Sequence, residues 1–274
     1  MASLIGGLQA GCSSDLPKPQ LVDNLRIAAV RAEPAEGGPG TEVTLDALLL
    51  HPDPSARFEL AWLACVLPAG ANPAACTSST SLPPTCAEAP DATLCLIGAA
   101  DQVSYRLPRR ALEGRAPGHP GQVIVTLAAG LVGRGGLASC VGSGEAGSEE
   151  MPAMSGEGCR AAVKRVNVLP LGMASANRNP QITSLALEGE RVSIALKDDS
   201  IEETEQGQET VFLSWYVTVG EIEKFHTDPD EEGLTNEWTP ADAMGTIAVV
   251  ARDTRGGVGW IRGSRSSLPV GASP

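Results

Sequence analysis

Three alternating apolar runs lie between residues 25 and 65, and turns rich in proline and glycine separate them. In the second run Val43 and Leu45 alternate with polar residues at period 2, which places them on one face of a β-strand. The third run, FELAWLACVL, places Leu60 and Trp62 on one face. Because glycine (31 residues) and proline (21 residues) are frequent along the whole chain, short strands and turns are favoured over long helices.

The segment RAEPAEGGPGTEVTLDALLLHPD resembles the strand A to strand B region of immunoglobulin-like domains in bacterial surface lipoproteins. In those domains a proline turn and a PG(T/E) motif precede strand B. The resemblance covers about forty residues and implies a β-sandwich in which Trp62 is the strand C tryptophan between two sheets. It is specific for the fold and names no ligand.

A second set of strand patterns follows residue 179: PQITSLALEG, RVSIALKD, TVFLSWYVTVG and GTIAVVARDTRGGVGWIRG. This order resembles polycystic-kidney-disease-type and related immunoglobulin-like domains. The residues that carry the resemblance are Pro180, Trp215, Tyr216 and Val250 through Gly257. The segment lacks cysteine, so we expect its stability to depend on packing around Trp215, Val249 and Trp260.

The predicted fold class is therefore all-β, with two tandem immunoglobulin-like β-sandwiches after a short disordered N-terminal tether. A chain of 274 residues is long enough for two such domains. The predicted units are residues 1–20 (signal-peptide remnant, lipidation cysteine and tether), 21–171 (first sandwich), 172–178 (linker), 179–266 (second sandwich) and 267–274 (disordered tail).

The N-terminal residues MASLIGGLQAGC resemble the end of a bacterial lipoprotein signal peptide. Leu8, Ala10, Gly11 and Cys12 carry the resemblance, which implies lipidation of Cys12 and a membrane anchor. The alternative is an ordinary disordered terminus with an odd cysteine, because the positive region and long apolar core of a secretory signal are missing.

The other six cysteines are even in number and contain no CxxC pair, which favours disulfides in an extracytoplasmic protein. We expect nested bridges Cys65–Cys95 and Cys76–Cys86, which would staple the loop that follows the Trp62 strand, and a bridge Cys140–Cys159. Six cysteines allow many other connectivities, so this pairing is one hypothesis among several.

The chain has a net charge of −13, which opposes binding to nucleic acid or to an anionic membrane surface. No nucleophile elbow, zinc-protease motif or Walker loop occurs. The string GSGEAG at residues 142–147 lacks the strand-to-helix context of a phosphate loop. His51, His119 and His226 are far apart in sequence, so zinc is not expected. We therefore predict no catalytic residue, no metal residue and no cofactor.

Two weaker possibilities remain open from the sequence. Two acidic loops carry the oxygen ligands that calcium prefers: Asp198, Asp199, Glu202 and Glu203 in one, and Asp228, Asp230, Glu231 and Glu232 in the other. Three aromatic residues are candidates for a sugar-stacking platform: Tyr105, Phe225 and Trp238.

The sequence thus predicts a non-catalytic cell-envelope lipoprotein, at the outer membrane or cell surface, that displays its domains for structural, adhesive or partner-binding roles. The expected partners are the membrane, through the lipid anchor, and a protein or glycan. The stapled loop that leaves Cys65 is the first candidate for a recognition surface. The alternative is a carbohydrate- or protein-binding accessory module of a secreted enzyme system. A hydrolase would need acidic, histidine or serine residues converging in a cleft between the domains.

Overall fold

The computed structural model describes residues 18–67, 69–70, 76, 83–140, 158–173, 177–204, 207–229, 233–239 and 244–265. The regular structure in this part of the chain is β-strand, with two 3-10 helices at Arg109–Leu112 and Gly136–Cys140. The strands are β1 (Arg26–Glu33), β2 (Glu36–Gly37), β3 (Glu42–Leu50), β4 (Phe58–Leu67), β5 (Leu94–Gly98), β6 (Gln102–Arg106), β7 (Gly121–Leu131), β8 (Cys159–Val168), β9 (Ile182–Glu188), β10 (Arg191–Leu196), β11 (Glu203–Thr204), β12 (Gly207–Gln208), β13 (Val211–Val217), β14 (Glu221–Ile222), β15 (His226–Thr227), β16 (Thr235–Thr239), β17 (Gly245–Asp253) and β18 (Val258–Arg265). The all-β prediction is confirmed.

Strands β1 to β8 form the first sandwich, with sheets ordered β1-β3-β6 and β2-β8-β7-β4-β5. The pairs are antiparallel except β2, which runs parallel to β8. This is the A-B-E and A′-G-F-C-C′ arrangement of an immunoglobulin-like domain. Trp62 is fully buried between the sheets beside Val43 and Leu45, as its period-2 pattern predicts, and its indole N–H donates to the Ala100 carbonyl at 2.9 Å.

Strands β9 to β18 form the second sandwich, with sheets β14-β16-β10-β9 and β15-β13-β17-β18 and a small β11-β12 hairpin. Trp215 is fully buried in its core, and its indole N–H donates to Thr227 Oγ1 at 2.9 Å. Strand β16 was not predicted, because TNEWT lacks an apolar alternation, yet it places Trp238 in the same core.

The predicted role of Trp260 is wrong. Its ring lies outside the core of the second sandwich, where the Arg31 guanidinium of the first sandwich stacks over it at 4.4 Å from the ring centroid. Trp260 is on β18 directly opposite Val250, and both side chains face away from the Trp215 core. The physical reason is strand alternation, since Val249, which neighbours Val250, takes the core-facing position.

The nested disulfide pairing is also wrong: the structure joins Cys65 to Cys76 and Cys86 to Cys95. Cys65 on β4 lies opposite Leu94, so Cys95 is one residue out of register with it. Neighbouring positions along a strand point to opposite faces of the sheet. Cys95 therefore enters the core while Cys65 faces a small outer cluster, and the two sulfurs cannot meet.

The third bridge joins Cys140 to Cys159, the pair expected from the sequence. It ties the 3-10 helix Gly136–Cys140 to the start of β8, and it packs against Ala128 on the outer side of the sheet. Three disulfides indicate that the protein folds in an oxidising, extracytoplasmic compartment.

Non-reducing peptide mapping tests the revised pairing. We expect proteolytic fragments that link Cys65 to Cys76 and Cys86 to Cys95, because the register of β4 and β5 holds Cys65 and Cys95 on opposite faces. The Cys140–Cys159 fragment, whose pairing does not depend on that register, is the internal control. A fragment that links Cys65 to Cys95 would contradict the register described here.

Candidate functional site

The two sandwiches pack side by side through the outer faces of two sheets. The β1-β3-β6 sheet of the first sandwich contacts the β15-β13-β17-β18 sheet of the second, and a buried apolar cluster fills the interface. Its members are Val22, Ala28, Ala29, Leu48, Leu50, Tyr216, Ala248, Val250 and Val258, with Phe225 and Trp260 packed at its border. Small alanine side chains on both sheets let the backbones approach closely. The two domains are therefore joined through one sheet face of each sandwich.

The segment before β1 also joins the two sandwiches. Val22 N–H donates to the Val217 carbonyl at 2.8 Å, and Val217 N–H donates to the Gln20 carbonyl at 2.9 Å, so this segment extends the edge of β13. Leu21 packs against the second core, Val22 is fully buried in the interface, and Leu25 is buried in the first core. Residues 18–20 of the predicted tether thus lie against the second sandwich, because the apolar residues that follow them are buried there.

A buried carboxylate connects three parts of the chain at one end of this interface. Glu36 on β2 is only 5% exposed. It accepts from the Asn167 side chain of β8 at 3.1 Å, from the Asn177 backbone N–H of the linker at 2.7 Å, and from Arg255 of the second sandwich at 2.7 Å. Hydrogen bonds to a charged group contribute about 1.5–3 kcal/mol each when buried. Glu36 therefore fixes the linker and the second sandwich onto the first.

The turn between β17 and β18 is shaped by Asp253. Its Oδ1 accepts from the backbone N–H groups of Arg255 at 2.9 Å and Gly257 at 2.6 Å, and the Asn177 amide donates to both of its oxygens at 3.2 Å. Such side-chain to backbone bonds hold a tight turn. A Cβ at Gly257 would lie 2.0 Å from Asp253 Oδ2, so the position requires glycine.

Asn179 adds a second polar connection between the two sandwiches. Its side-chain amide donates to the Ala32 carbonyl at 2.8 Å and to the Glu33 carboxylate at 2.6 Å, both in the first sandwich. Its side-chain oxygen accepts from Val258 N–H at 2.8 Å in the second sandwich. Asn179 is 7% exposed, so these bonds are shielded from water.

Two arginines of the second sandwich reach carbonyl groups of the first. Arg252 donates to the Ala28 carbonyl and to Ser214 Oγ, and Arg262 donates to the Leu49 carbonyl at 2.8 Å. A β-bulge leaves Ala28 without a partner in the β1-β3 register. The bulge thus presents a backbone acceptor to the second sandwich at the point where the sheets meet.

Glu209 is a buried acid beside this network. It is 5% exposed, and neither carboxylate oxygen has a hydrogen-bond partner among the described residues. Burial raises its pKa to about 7; the negative charges of Asp253 and Glu202 act in the same direction, and the positive charge of Arg255 opposes them. Near neutral pH the protonated and the ionised forms of Glu209 therefore occur in comparable amounts.

In the first of the two acidic loops considered for calcium, carboxylate groups form ion pairs with arginine and lysine side chains. Arg178 bonds Glu202 Oε1 at 2.7 Å and Asp199 at 3.0 Å, and Lys197 also contacts Asp199 at 3.1 Å. In the described part of the chain, no group of three or more His, Cys, Asp or Glu residues is placed to hold a metal ion. Asp230, Glu231 and Glu232 lie outside the described residues.

The structure does not support the sugar-stacking alternative for Tyr105 and Trp238, and it agrees with the expectation that these few aromatic residues pack in cores or turns. Tyr105 is 7% exposed and Trp238 is 1% exposed, each within the core of its own sandwich. Phe225 packs edge-on against Tyr216 at the border of the interface. Tyr105 and Trp238 are therefore not accessible for stacking on a sugar.

The three histidines stay apart in the structure. His51 bonds the backbone of Asp53, His119 lies beside the Pro117 carbonyl, and His226 bonds Ser214 Oγ at 3.0 Å. Cys12 and the GSGEAG string at 142–147 lie outside the described residues. Within the described residues, no helix is long and apolar enough to cross a membrane.

Sequence reasoning missed the interface residues Glu36, Asn177, Asn179 and Lys164. One signal was present for Lys164, which occupies an inward-facing position of β8 between Ala162 and Val166. Inward-facing positions of a strand are normally apolar, so a charged residue at such a position indicates a local contact other than core packing. The polar residues of the linker carry no such pattern.

No protein-family model matches the chain, and no curated protein matches it. Among solved structures it is similar to the fibronectin(III)-like modules of Clostridium thermocellum CbhA, at 11% identity over 86% of this chain and 91% of that chain, with a TM-score of 0.22. It is also similar to the D00-D0 domain of intimin, at 11% identity over 88% and 96%, with a TM-score of 0.25. TM-scores this low describe local strand arrangement, and neither family nor function follows from them.

Replacing Val22 by alanine tests the role of the N-terminal segment. We expect a loss of about 2 kcal/mol in unfolding free energy, because the valine methyl groups are fully buried between the sandwiches. Hydrogen exchange at the Val217 amide should accelerate, since its acceptor is the Gln20 carbonyl. Leu171→Ala, at a side chain 90% exposed, is the matched control. Unchanged exchange at Val217 would show that the segment is not held on β13.

Replacing Glu209 by glutamine tests the buried acid. The folded pKa, about 7, lies above the ordinary value of 4.5, so this group's contribution to stability is complete below 4.5 and is lost as the pH rises through 7. We expect Glu209→Gln to raise the melting temperature at pH 8 and to leave it nearly unchanged at pH 4. Glu188→Gln, on an exposed position of β9, is the control. An equal effect at both pH values would contradict the assignment.

Proposed function

We propose that the protein is a non-catalytic lipoprotein of the cell envelope, at the outer membrane or cell surface, which displays two immunoglobulin-like domains as one rigid body for structural, adhesive or partner-binding roles. The observation that carries this proposal is the interface between the sandwiches, where apolar and buried polar contacts involve both domains, the linker and the N-terminal segment. The three disulfides support a location outside the cytoplasm.

The two sandwiches hold a fixed relative position because hydrogen bonds, which have a preferred direction, connect them. We call this set of polar contacts around Glu36 and Asn179 the joint. An apolar interface alone allows sheets to slide, whereas hydrogen bonds to the buried Glu36 carboxylate and the Asn179 amide fix one relative position. In the proposed role, a body of fixed shape presents a partner surface without the entropy cost of ordering two loosely linked domains.

The contacts of residues 18–22 with the second sandwich limit its distance from the proposed lipid anchor at Cys12. Lipidation of Cys12 would leave residues 13–17 between the lipid and Lys18, which bonds Glu221 of the second sandwich. Five extended residues span about 18 Å at most. We therefore propose that the second sandwich lies near the membrane and that the partner is a protein or glycan.

The proposal includes two more specific assignments: that the protein is a lipoprotein, and that its second domain is of the polycystic-kidney-disease type. The lipoprotein assignment rests on the sequence around Cys12, and the polycystic-kidney-disease type of the second domain rests on Pro180, Trp215, Tyr216 and the β17–β18 turn. The accessory-module alternative has less support, because the burial of Tyr105 and Trp238 removes two of its three stacking residues.

Absence of catalysis is also part of the proposal, and the lining of the cleft between the sandwiches supports it. Among the described residues, that lining includes a single carboxylate, Asp253, and no histidine or serine. Asp253 is occupied by the turn that it shapes. The paired acid and base of a hydrolase therefore have no counterpart in this lining.

Mass spectrometry and cell fractionation test the anchor. We expect the protein produced from its own gene in its native host to occur in the membrane fraction, with a mature N-terminal peptide that begins at a lipid-modified Cys12. Cys12→Ser should release the protein from the membrane, while Ser14→Ala should leave it there. A wild-type peptide that extends unmodified through Cys12 would contradict the lipoprotein assignment.

A further inference from the structure

A cleft of about 780 Å³ lies between the two sandwiches, next to the polar joint. One wall is β1 and another is β8 of the first sandwich, and the β17–β18 turn of the second closes the third side. Its volume falls in the range of small-molecule sites, which are about 300–1,000 Å³. The cleft is partly open to solvent, so a ligand has a route into it.

The cleft is basic although the protein is strongly acidic. Its lining includes Lys164, Arg165, Arg252 and Arg255 against the one carboxylate of Asp253, whereas the whole chain has 20 basic and 33 acidic residues. Arg255 is neutralised by Glu36 and Glu202. Within the described part of the chain, the other three basic side chains form no ion pair with a carboxylate.

Lys164 is the most unusual of these residues. It is 7% exposed, and its ammonium group donates to the Gly256 carbonyl at the rim of the cleft. An ammonium carries three N–H donors, and burying its charge is costly unless an acceptor or an opposite charge is nearby. An anionic oxygen in the cleft would satisfy this charge together with that of Arg252, whereas Arg165 is opposite Ile124 and its side chain lies on the outer face of β8.

The remaining lining is partly polar, with Gln122, Asn167 and Thr254, and partly apolar. Its apolar part includes Val30 of β1 and Ala162 of β8 on the core-facing sides of their strands, and Ala29 of β1 on the side that faces the second sandwich. An inorganic ion would contact the basic side chains and leave this surface exposed to water. A ligand with an anionic group and a short hydrocarbon part would use both halves of the cleft.

We propose that the cleft between the sandwiches binds a small organic anion, with its charged group at Lys164 and Arg252 and its hydrocarbon part against β1 and β8. This site goes beyond the display role proposed above and does not depend on lipidation of Cys12. Because the ligand would contact both domains, its binding would also strengthen the joint between them.

Binding should depend on pH through Lys164. Desolvation lowers its pKa to about 8; the Asp253 charge raises it, and the Arg252 charge lowers it further. The other charged groups that line the cleft are Arg165 and Arg255. Lys164 is protonated below pH 8, so affinity for an anion should fall as the pH rises from 7 to 9.

Titration calorimetry and amide NMR on the folded two-domain protein test the site, with sodium hexanoate as the probe. Hexanamide is the uncharged analogue, and sodium phosphate is the anion without a hydrocarbon part. We expect hexanoate to bind and to shift the amide signals of Gly256 and Val258, with at least tenfold weaker binding of the other two compounds. A tenfold change corresponds to about 1.4 kcal/mol, within the range of one hydrogen bond to a charged group.

Three variants complete the test. Arg252→Gln should weaken hexanoate binding about tenfold while its pH dependence remains, and Lys164→Gln should remove the pH dependence. Arg106→Gln, on the far edge of the β1-β3-β6 sheet, is the control. If Lys164→Gln does not fold, the Arg252 variant and the pH dependence of the wild-type protein still decide. Equal binding of hexanoate and hexanamide, equal binding of phosphate, or an unchanged affinity in Arg252→Gln would each overturn the proposal.

Discussion

The arrangement of the two domains depends on one buried carboxylate. Glu36 accepts from a strand of its own sandwich, from the linker and from the turn of the second sandwich, and each donor approaches from a different part of the chain. A buried charge with these partners is stable only in the assembled joint, because separating the sandwiches removes two of the three donors. The apolar faces attract the sandwiches, and Glu36 together with Asn179 fixes how they are aligned.

Strand alternation explains how much of the fold could be predicted. The period-2 patterns place Val43, Leu45 and Trp62 correctly, because each of those strands has a single core-facing side. The packing of one sandwich against the other was not predicted, although two runs carried its signal. Residues 47–50 of β3 and 247–251 of β17 are apolar without interruption, which is typical of strands covered on both faces.

The candidate site was beyond prediction for a different reason. Its residues come from β1, β7, β8 and the β17–β18 turn, which are distant in sequence and meet only after both sandwiches have formed. Disulfide pairing failed on a smaller scale, since a shift of one residue in the register of β4 and β5 decides whether Cys65 and Cys95 share a face. The spacing of residues along the chain determines neither the register of two paired strands nor the contact between two domains.

The N-terminal segment has a consequence for the order of events during synthesis. Gln20 and Val22 bond Val217, about two hundred residues later in the chain, so their partner emerges from the ribosome long after they do. The edge of β13 cannot receive this segment until the second sandwich has formed. The segment at residues 20–22 therefore docks only after the second sandwich has formed, so its docking is a late step in the folding of the two domains.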